Sequence, residues 1–433
     1  MSNATEITRR SFLATAAAAS VGMTTAAKMA GRRSVSKAYE FVNGRWFDGQ
    51  GFKNSRFYSV DGVLRSEKPT RIDSVIDLAG KYVVPPFGEA HNHNIEYSGR
   101  IDEVIQKYLQ AGIFYVKNPN SLPTAKTSLS GKINIPTSVD VTFANGGLTG
   151  SGGHPFGIVK RNLERGENPE IWAEGSFYFS IDNTADLDRK WGRVLAGKPD
   201  FIKTYLQYSE EYEKRKGDDA YLDWRGLNPT LLPEIVRRAH AAGLKVATHV
   251  ETATDFHYAV VAGADELNHT PGLRPERGDW TKYDAARFRI SESDARLAGR
   301  NRITVVTTLI SAIDHALKKN AGEPFDEIRG LLVHNLQLLK KHEVHLAIGS
   351  DSYRQTSLDE ALNLQKLAVF DNRTLLKMWC ETTAATIFPK RKIGYLRNGY
   401  EASFLVLEGN PLQDFANVMK IDKRFKQGEF LSA

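Results

Sequence analysis

Tyr82-Val83-Val84-Pro85-Pro86-Phe87-Gly88-Glu89-Ala90-His91-Asn92-His93 is the stretch from which the fold can be read. An apolar run ends in two imidazoles two residues apart. Alternation along a strand sends residues i and i+2 to one face. His91 and His93 therefore project together from a strand end, a geometry for gripping one metal ion. The pair alone is a weak signal. It gains weight because four more candidate ligands lie in or at the end of later apolar runs. Lys203 sits inside Phe201-Ile202-Lys203-Thr204-Tyr205-Leu206, and His249 ends Lys245-Val246-Ala247-Thr248-His249. His269 ends Ala264-Asp265-Glu266-Leu267-Asn268-His269, and Asp351 ends His345-Leu346-Ala347-Ile348-Gly349-Ser350-Asp351.

Working outward, short apolar runs predict strands over 82–91, 112–117, 138–144, 201–206, 245–249, 264–269, 303–309 and 344–350. Helical spacing of apolar residues lies between most of them, as in 101–109, 233–239 and 328–339. Eight strands alternating with helices predict an α/β fold, a (β/α)8 TIM barrel over residues 86–394. A doubly wound open sheet is the alternative. The barrel is favoured because chemistry-bearing residues recur at strand ends around the whole series. The flanks read differently. Residues 38–85 and 395–433 carry short strands and turn signals such as Asn43-Gly44, Asp61-Gly62 and Gly409-Asn410-Pro411. Neither flank buries a good core alone, so the two are expected to combine into one small β-sandwich.

The chain has 433 residues, 41% of them hydrophobic, and a net charge of +7. Residues 1–33 hold five of the basic side chains against Glu6, so the remainder is only mildly basic. No Lys/Arg stripe with interleaved aromatics points to nucleic acid. Cys380 is the single cysteine, which excludes an internal disulfide and a Cys-based zinc site. Thr8-Arg9-Arg10-Ser11-Phe12-Leu13 precedes an uncharged, Ala-rich stretch from Ala14 to Ala27. This resembles a twin-arginine signal over 1–30, implying the export machinery as a partner and a periplasmic or secreted location.

Each ligand candidate also has an ordinary reading. A strand-end His can be a hydrogen-bonded core residue, Lys203 can snorkel to the surface, and Asp351 can cap a helix. All of these must hold together to defeat the metal reading. Lys203 discriminates further. An ammonium cannot bind a cation, and an isolated buried charge is costly. A buried lysine with a lowered pKa is neutral and nucleophilic. It can then take up carbon dioxide as a carbamate, whose two oxygens can bridge two metals. A Schiff-base lysine is the other option, but it needs no imidazoles around it.

The ordered set His91-Asn92-His93, Lys203, His249, His269 and Asp351 resembles the amidohydrolase superfamily, in its binuclear, carboxylated-lysine branch. The run Gly399-Tyr400-Glu401-Ala402-Ser403-Phe404-Leu405-Val406-Leu407-Glu408-Gly409-Asn410-Pro411-Leu412 is similar to the closing segment of prolidase-like and imidazolonepropionase-like members. The resemblance implies two divalent ions, for which zinc suits the donor set. His91, His93 and Asp351 would hold one, His249 and His269 the other, with carboxylated Lys203 between them. It further implies a metal-bridged hydroxide attacking an amide or lactam C–N bond, with Asp351 as the catalytic proton carrier. The substrate would be a small molecule, such as a dipeptide or N-acyl amino acid.

Gly146-Gly147-Leu148-Thr149-Gly150-Ser151-Gly152-Gly153-His154-Pro155 offers His154 as a substrate-facing imidazole on a glycine-rich loop. Tyr205, Tyr353 and Arg354 are weaker substrate candidates. Loops 207–227 and 271–285 are long enough to form a lid or cover the rim. Two departures from the family pattern stand out. Glu251 follows His249 where dipeptidase relatives carry an aromatic, and Pro86-Phe87-Gly88-Glu89 replaces the usual Pro-Gly-x-x-Asp. A mononuclear deaminase or imidazolone-type hydrolase is the nearest alternative activity, and a non-catalytic binding protein on the same scaffold is the alternative outside enzymes.

Overall fold

The computed structural model describes residues 37–96, 98–272, 276–279, 283–310 and 323–431. The signal-like segment lies outside the described residues. Eight parallel strands supply the barrel in chain order. They are Phe87–Glu89, Ile113–Asn118, Asp140–Phe143, Ile202–Tyr205, Val246–His249, Glu266–Asn268, Thr304–Thr307 and His345–Ile348. Each falls within, or one residue beyond, a run expected from the sequence. The helices Ile101–Gln110, Leu232–Ala241 and Glu323–Lys341 also match expected segments. The fold is thus the α/β, TIM-barrel-like architecture that the strand-helix alternation implies.

The barrel's hydrogen-bond ladder is interrupted in two places. Strands one to three form one sheet, and strands four to eight another that also carries Gly147–Thr149 and Tyr178–Ser180. The third strand breaks at Ala144-Asn145-Gly146, where Asn145 takes φ of 60°. Its continuation, Gly147–Thr149, then pairs with strand four through Leu148 and Thr204. Strands one and eight make no ladder. Instead Ala90 N donates to Ile348 O at 2.9 Å and Asp351 N to His91 O at 2.8 Å.

The expected strand over 82–91 is two strands. Tyr82–Val84 pairs outside the barrel, and Phe87–Glu89 opens it. The break has a simple cause: Pro85 and Pro86 carry no N–H and cannot continue a ladder. Phe87 then stacks on Trp379 with ring centroids 3.7 Å apart. The small sandwich expected of the two chain ends is one hydrogen-bonded sheet of eight strands. Its seam is Leu405, Val406 and Leu407 against Val84, Val83 and Tyr82. The sheet curls so that Phe41 meets Phe404 edge-on at 4.9 Å, around a core that also holds Trp46 and Phe425.

Behind strand seven, the buried Glu360 accepts the backbone N–H of Leu309 at 2.9 Å and of Ile310 at 2.6 Å. Burial pushes its carboxyl from 4.5 up to about 7, against the lowering effect of those two donors. The folded chain then keeps a proton that the unfolded chain releases, so this group's contribution to stability declines as pH rises from about 4.5 to about 7. Denaturant unfolding at pH 5 and pH 7.5 checks this. Glu360→Gln should flatten that decline relative to wild type while lowering stability by about 1–3 kcal/mol, because its amide nitrogen opposes a backbone N–H.

Candidate metal centre and cavity

The six candidate ligands leave the barrel at one mouth because all eight strands run the same way. His91, His93, Lys203, His249, His269 and Asp351 all line a single cavity of about 680 Å³. Asp351 is the point on which imidazoles converge. Its Oδ1 lies 3.6 Å from His91 Nε2 and 3.6 Å from His93 Nε2, and its Oδ2 lies 3.9 Å from His269 Nε2. These separations exceed a hydrogen bond but suit ligand atoms ringing a cation, roughly 3.3 Å apart in a tetrahedron with 2.0–2.1 Å bonds. One donor atom each from His91, His269 and Asp351 lies within 4.8 Å of the others. The second half of the cluster adjoins the first: the His249 and His269 ring centroids are 4.6 Å apart.

The electrostatics suit cation binding. Burial, reinforced by Lys203 and the neighbouring imidazoles, holds His91 well below the ordinary histidine value, in the neutral form that ligates. Its Nδ1 is buried and has no hydrogen-bond partner among the described residues. Burial also lowers His93, but Glu96 and Asp351 outweigh it and leave the ring above its ordinary value. Lys203 is 1% exposed, and burial pulls its ammonium from 10.5 down to about 7. Nζ donates to Asn268 Oδ1. Asn268 donates to Glu266 at 2.9 Å, and Lys117 donates to Glu266 at 2.7 Å. This buried chain fixes where the Lys203 side chain ends. The residues present therefore fit a divalent cation site.

Two of the candidate ligands sit on left-handed backbone, His269 at φ of 78° and Asp351 at φ of 45°. His and Asp tolerate that region better than most residues, and such geometry concentrates at functional sites. His269 is further oriented by Thr308 Oγ1, 2.6 Å from its Nδ1.

A family model described as "Amidohydrolase family" matches residues 207–423. The chain belongs to the amidohydrolase family. No curated protein sequence matches it. Among solved structures, this amidohydrolase is similar to A. niger ochratoxinase, with a TM-score of 0.68 at 18% identity over 91% of this chain and 95% of that one. It is also similar to a Xaa-Pro dipeptidase with bound methionine in its active site, at TM-score 0.67 and 15% identity over 92% and 100% of the two chains. Molinate hydrolase follows with TM-score 0.64 and 15% identity over 92% and 95%. At such identities the likeness speaks to the fold. Family membership makes the chain a hydrolase of C–N bonds.

The weaker sequence candidates separate. His154 stacks on His249 at 5.1 Å and meets Tyr205 at 5.2 Å, and all three line the cavity. Tyr353 lines it too, 70% exposed. Arg354 is exposed and is not among the cavity residues of this amidohydrolase. Its carbonyl instead accepts from Lys107. Loop 207–227 does not stand clear as a free flap. Arg215, fully buried, donates to Glu211 and to Glu276, both at 2.6 Å, tying this loop to the second one. The same loop carries Asp223, whose Oδ1 lies 3.0 Å from His154 Nδ1. Glu96, Asn120 and Asp223 were not apparent as site residues in the sequence. The Asp223–His154 contact spans 69 positions, and no spacing rule reaches so far.

Gly349 has a steric role here. A Cβ on it would fall 2.7 Å from His91 N and 2.9 Å from His91 Cβ. Gly349→Ala should therefore push strand one away from strand eight, costing about 1–3 kcal/mol. Thermal unfolding alongside metal analysis should show a modest fall in Tm and a larger loss of bound metal.

Proposed function

We propose that the protein is a metal-dependent hydrolase of amide or lactam C–N bonds, working with two divalent ions, best zinc. The observation that carries this reading is the convergence of three imidazoles on Asp351 beside the buried Lys203 in one cavity. His91, His93 and Asp351 would hold one ion, and His249 and His269 the other. Lys203, as its carbon dioxide carbamate, would join them.

When bound, such ions supply Lewis acidity, lowering the pKa of water and polarising a carbonyl. The chain's own groups do the rest. Asp351 takes the proton of the attacking water and returns it to the departing nitrogen, so that one water and one amide give a carboxylic acid and an amine. His154 and Tyr205, beside His249, would position the substrate carbonyl. Asp223 would fix the tautomer of His154 by accepting from Nδ1. His91, Lys203, His249 and His269 are buried at the cavity floor, where charge interactions are stronger than in open water.

Metal analysis should find about two ions per chain. Lys203→Ala should lose most of the second, and chelation should abolish cleavage in a panel of dipeptides, N-acyl amino acids, lactams and lactones. A single ion with an indifferent Lys203→Ala would instead favour the mononuclear reading. No metal and no cleavage would favour a binding protein.

We further propose that the chain is exported through the twin-arginine route, on the strength of Arg9-Arg10 before the uncharged Ala14–Ala27 stretch. Replacing both arginines by lysine should leave the protein in the cytoplasmic fraction.

A further inference from the structure

The candidate ligand His249 has a carboxylate behind it. Its strand, Val246–His249, runs on through Val250-Glu251-Thr252 into the helix Ala253–Val261. His249-Val250-Glu251 thus repeats the i, i+2 spacing of His91 and His93. Glu251 Oε2 lies 3.5 Å from His249 Nε2, and both residues are buried. That is long for a hydrogen bond, but a small rotation of either side chain closes it. The backbone beneath Glu251 is held in place. The buried carboxylate of Asp255 accepts from Glu251 N at 3.0 Å and from Thr252 N at 2.9 Å. It also accepts from Tyr208 N at 3.1 Å and Ser209 N at 2.9 Å, just past the neighbouring strand. With its own N–H fixed in this way, Glu251 delivers its side chain to one place.

His249 lines the cavity and Glu251 does not. The carboxylate therefore stands behind the imidazole, not beside it as one more ligand. Two other imidazoles show what a contact on the far side of the ring does. His93 Nδ1 faces Asn120 O at 3.3 Å, and His269 Nδ1 faces Thr308 Oγ1 at 2.6 Å. In both rings the opposite nitrogen, Nε2, turns toward Asp351. A neutral imidazole carries one proton, and an oxygen that accepts it at one nitrogen leaves the lone pair on the other. In His249 the order is reversed. The facing oxygen is at Nε2, so the lone pair falls on Nδ1. That oxygen also belongs to a carboxylate, which makes a ligating imidazole more basic and fixes its orientation.

We propose that Glu251 is a positioning residue: its carboxylate holds the His249 proton on Nε2 and so presents Nδ1 to the second ion. The tautomer follows from the contact itself. What Nδ1 binds rests on the two-ion reading.

The test reads the proton first and the metal second. Metal-free full-length protein, isotope-labelled in its histidine rings, is examined by proton–nitrogen correlation spectra at mildly alkaline pH, with His249→Gln marking the His249 signals. Wild type should carry the His249 proton on Nε2. Glu251→Gln should keep it there, because the amide oxygen still accepts, whereas Glu251→Leu should move it to Nδ1 or mix the two forms. Zinc titration against a competing chelator should then show the second ion bound about 10–100-fold more weakly in Glu251→Leu and closer to wild type in Glu251→Gln, with the first ion unchanged in both. A proton on Nδ1 of His249 in wild type overturns the inference whether or not either variant folds. So does a Glu251→Gln protein that binds zinc as weakly as Glu251→Leu, which makes Glu251 a ligand in its own right. A tautomer that depends on Glu251 in a protein whose zinc content is unmoved by His249→Gln overturns the two-ion reading and leaves the hold on the proton standing. Two bound ions with a His249 tautomer indifferent to Glu251→Leu do the reverse.

Discussion

The arrangement of this molecule depends on what joins the first barrel strand to the eighth. No continuous ladder runs between them, and the carboxylate of Glu89 takes its place. Oε1 accepts from Ser350 N at 2.7 Å, while Oε2 accepts from Ser350 Oγ at 2.8 Å and from Ser357 N at 2.7 Å. Burial nevertheless lifts this carboxyl to about 8, with those donors pulling the other way. A buried acid with this many partners is a rigid fastener, because losing any one leaves a polar group stranded. It lies two residues before His91, and its partner Ser350 immediately precedes Asp351. The clasp therefore sets the distance across which the first imidazoles face the carboxylate.

The opposite side of the mouth is organised by the same economy of buried polar groups. Lys117 reaches Glu266 from strand two to strand six, and its ammonium also lies 4.4 Å from the Phe201 ring centroid. Glu266 in turn holds Asn268, which holds Lys203. Three neighbouring polar side chains keep one lysine in a place where a full charge is poorly tolerated. That environment distinguishes Lys203 from the many lysines that merely bury their stems.

Much of this was legible in the sequence, for one reason. A parallel barrel sends all strand C-termini to one face, so residues at strand ends become neighbours whatever their separation along the chain. His91, His249, His269 and Asp351 could be read together on that rule alone. The rule fails where position is set by loops. Asp223 reaches His154 because Arg225 and Gly152 lock the 207–227 loop against the glycine-rich turn, with Arg225 O accepting from His154 N at 2.9 Å and Gly152 O from Asp223 N at 2.9 Å. The split at Pro85-Pro86 was written in plain residues, yet the apolar character on both sides masked it.

The sheet built from both chain ends has a consequence for the order of assembly. Tyr82–Val84 is flanked on one side by Ala38–Phe47, near the start, and on the other by Phe404–Leu407, near the end. During vectorial synthesis the early strands therefore wait, with Val83 and Val84 unpaired along one edge, until Phe404–Leu407 has left the ribosome. Such distant pairing is slow, and an exposed apolar edge invites the wrong neighbour. The nascent chain is therefore most vulnerable after the barrel strands have emerged and before Phe404–Leu407 arrives.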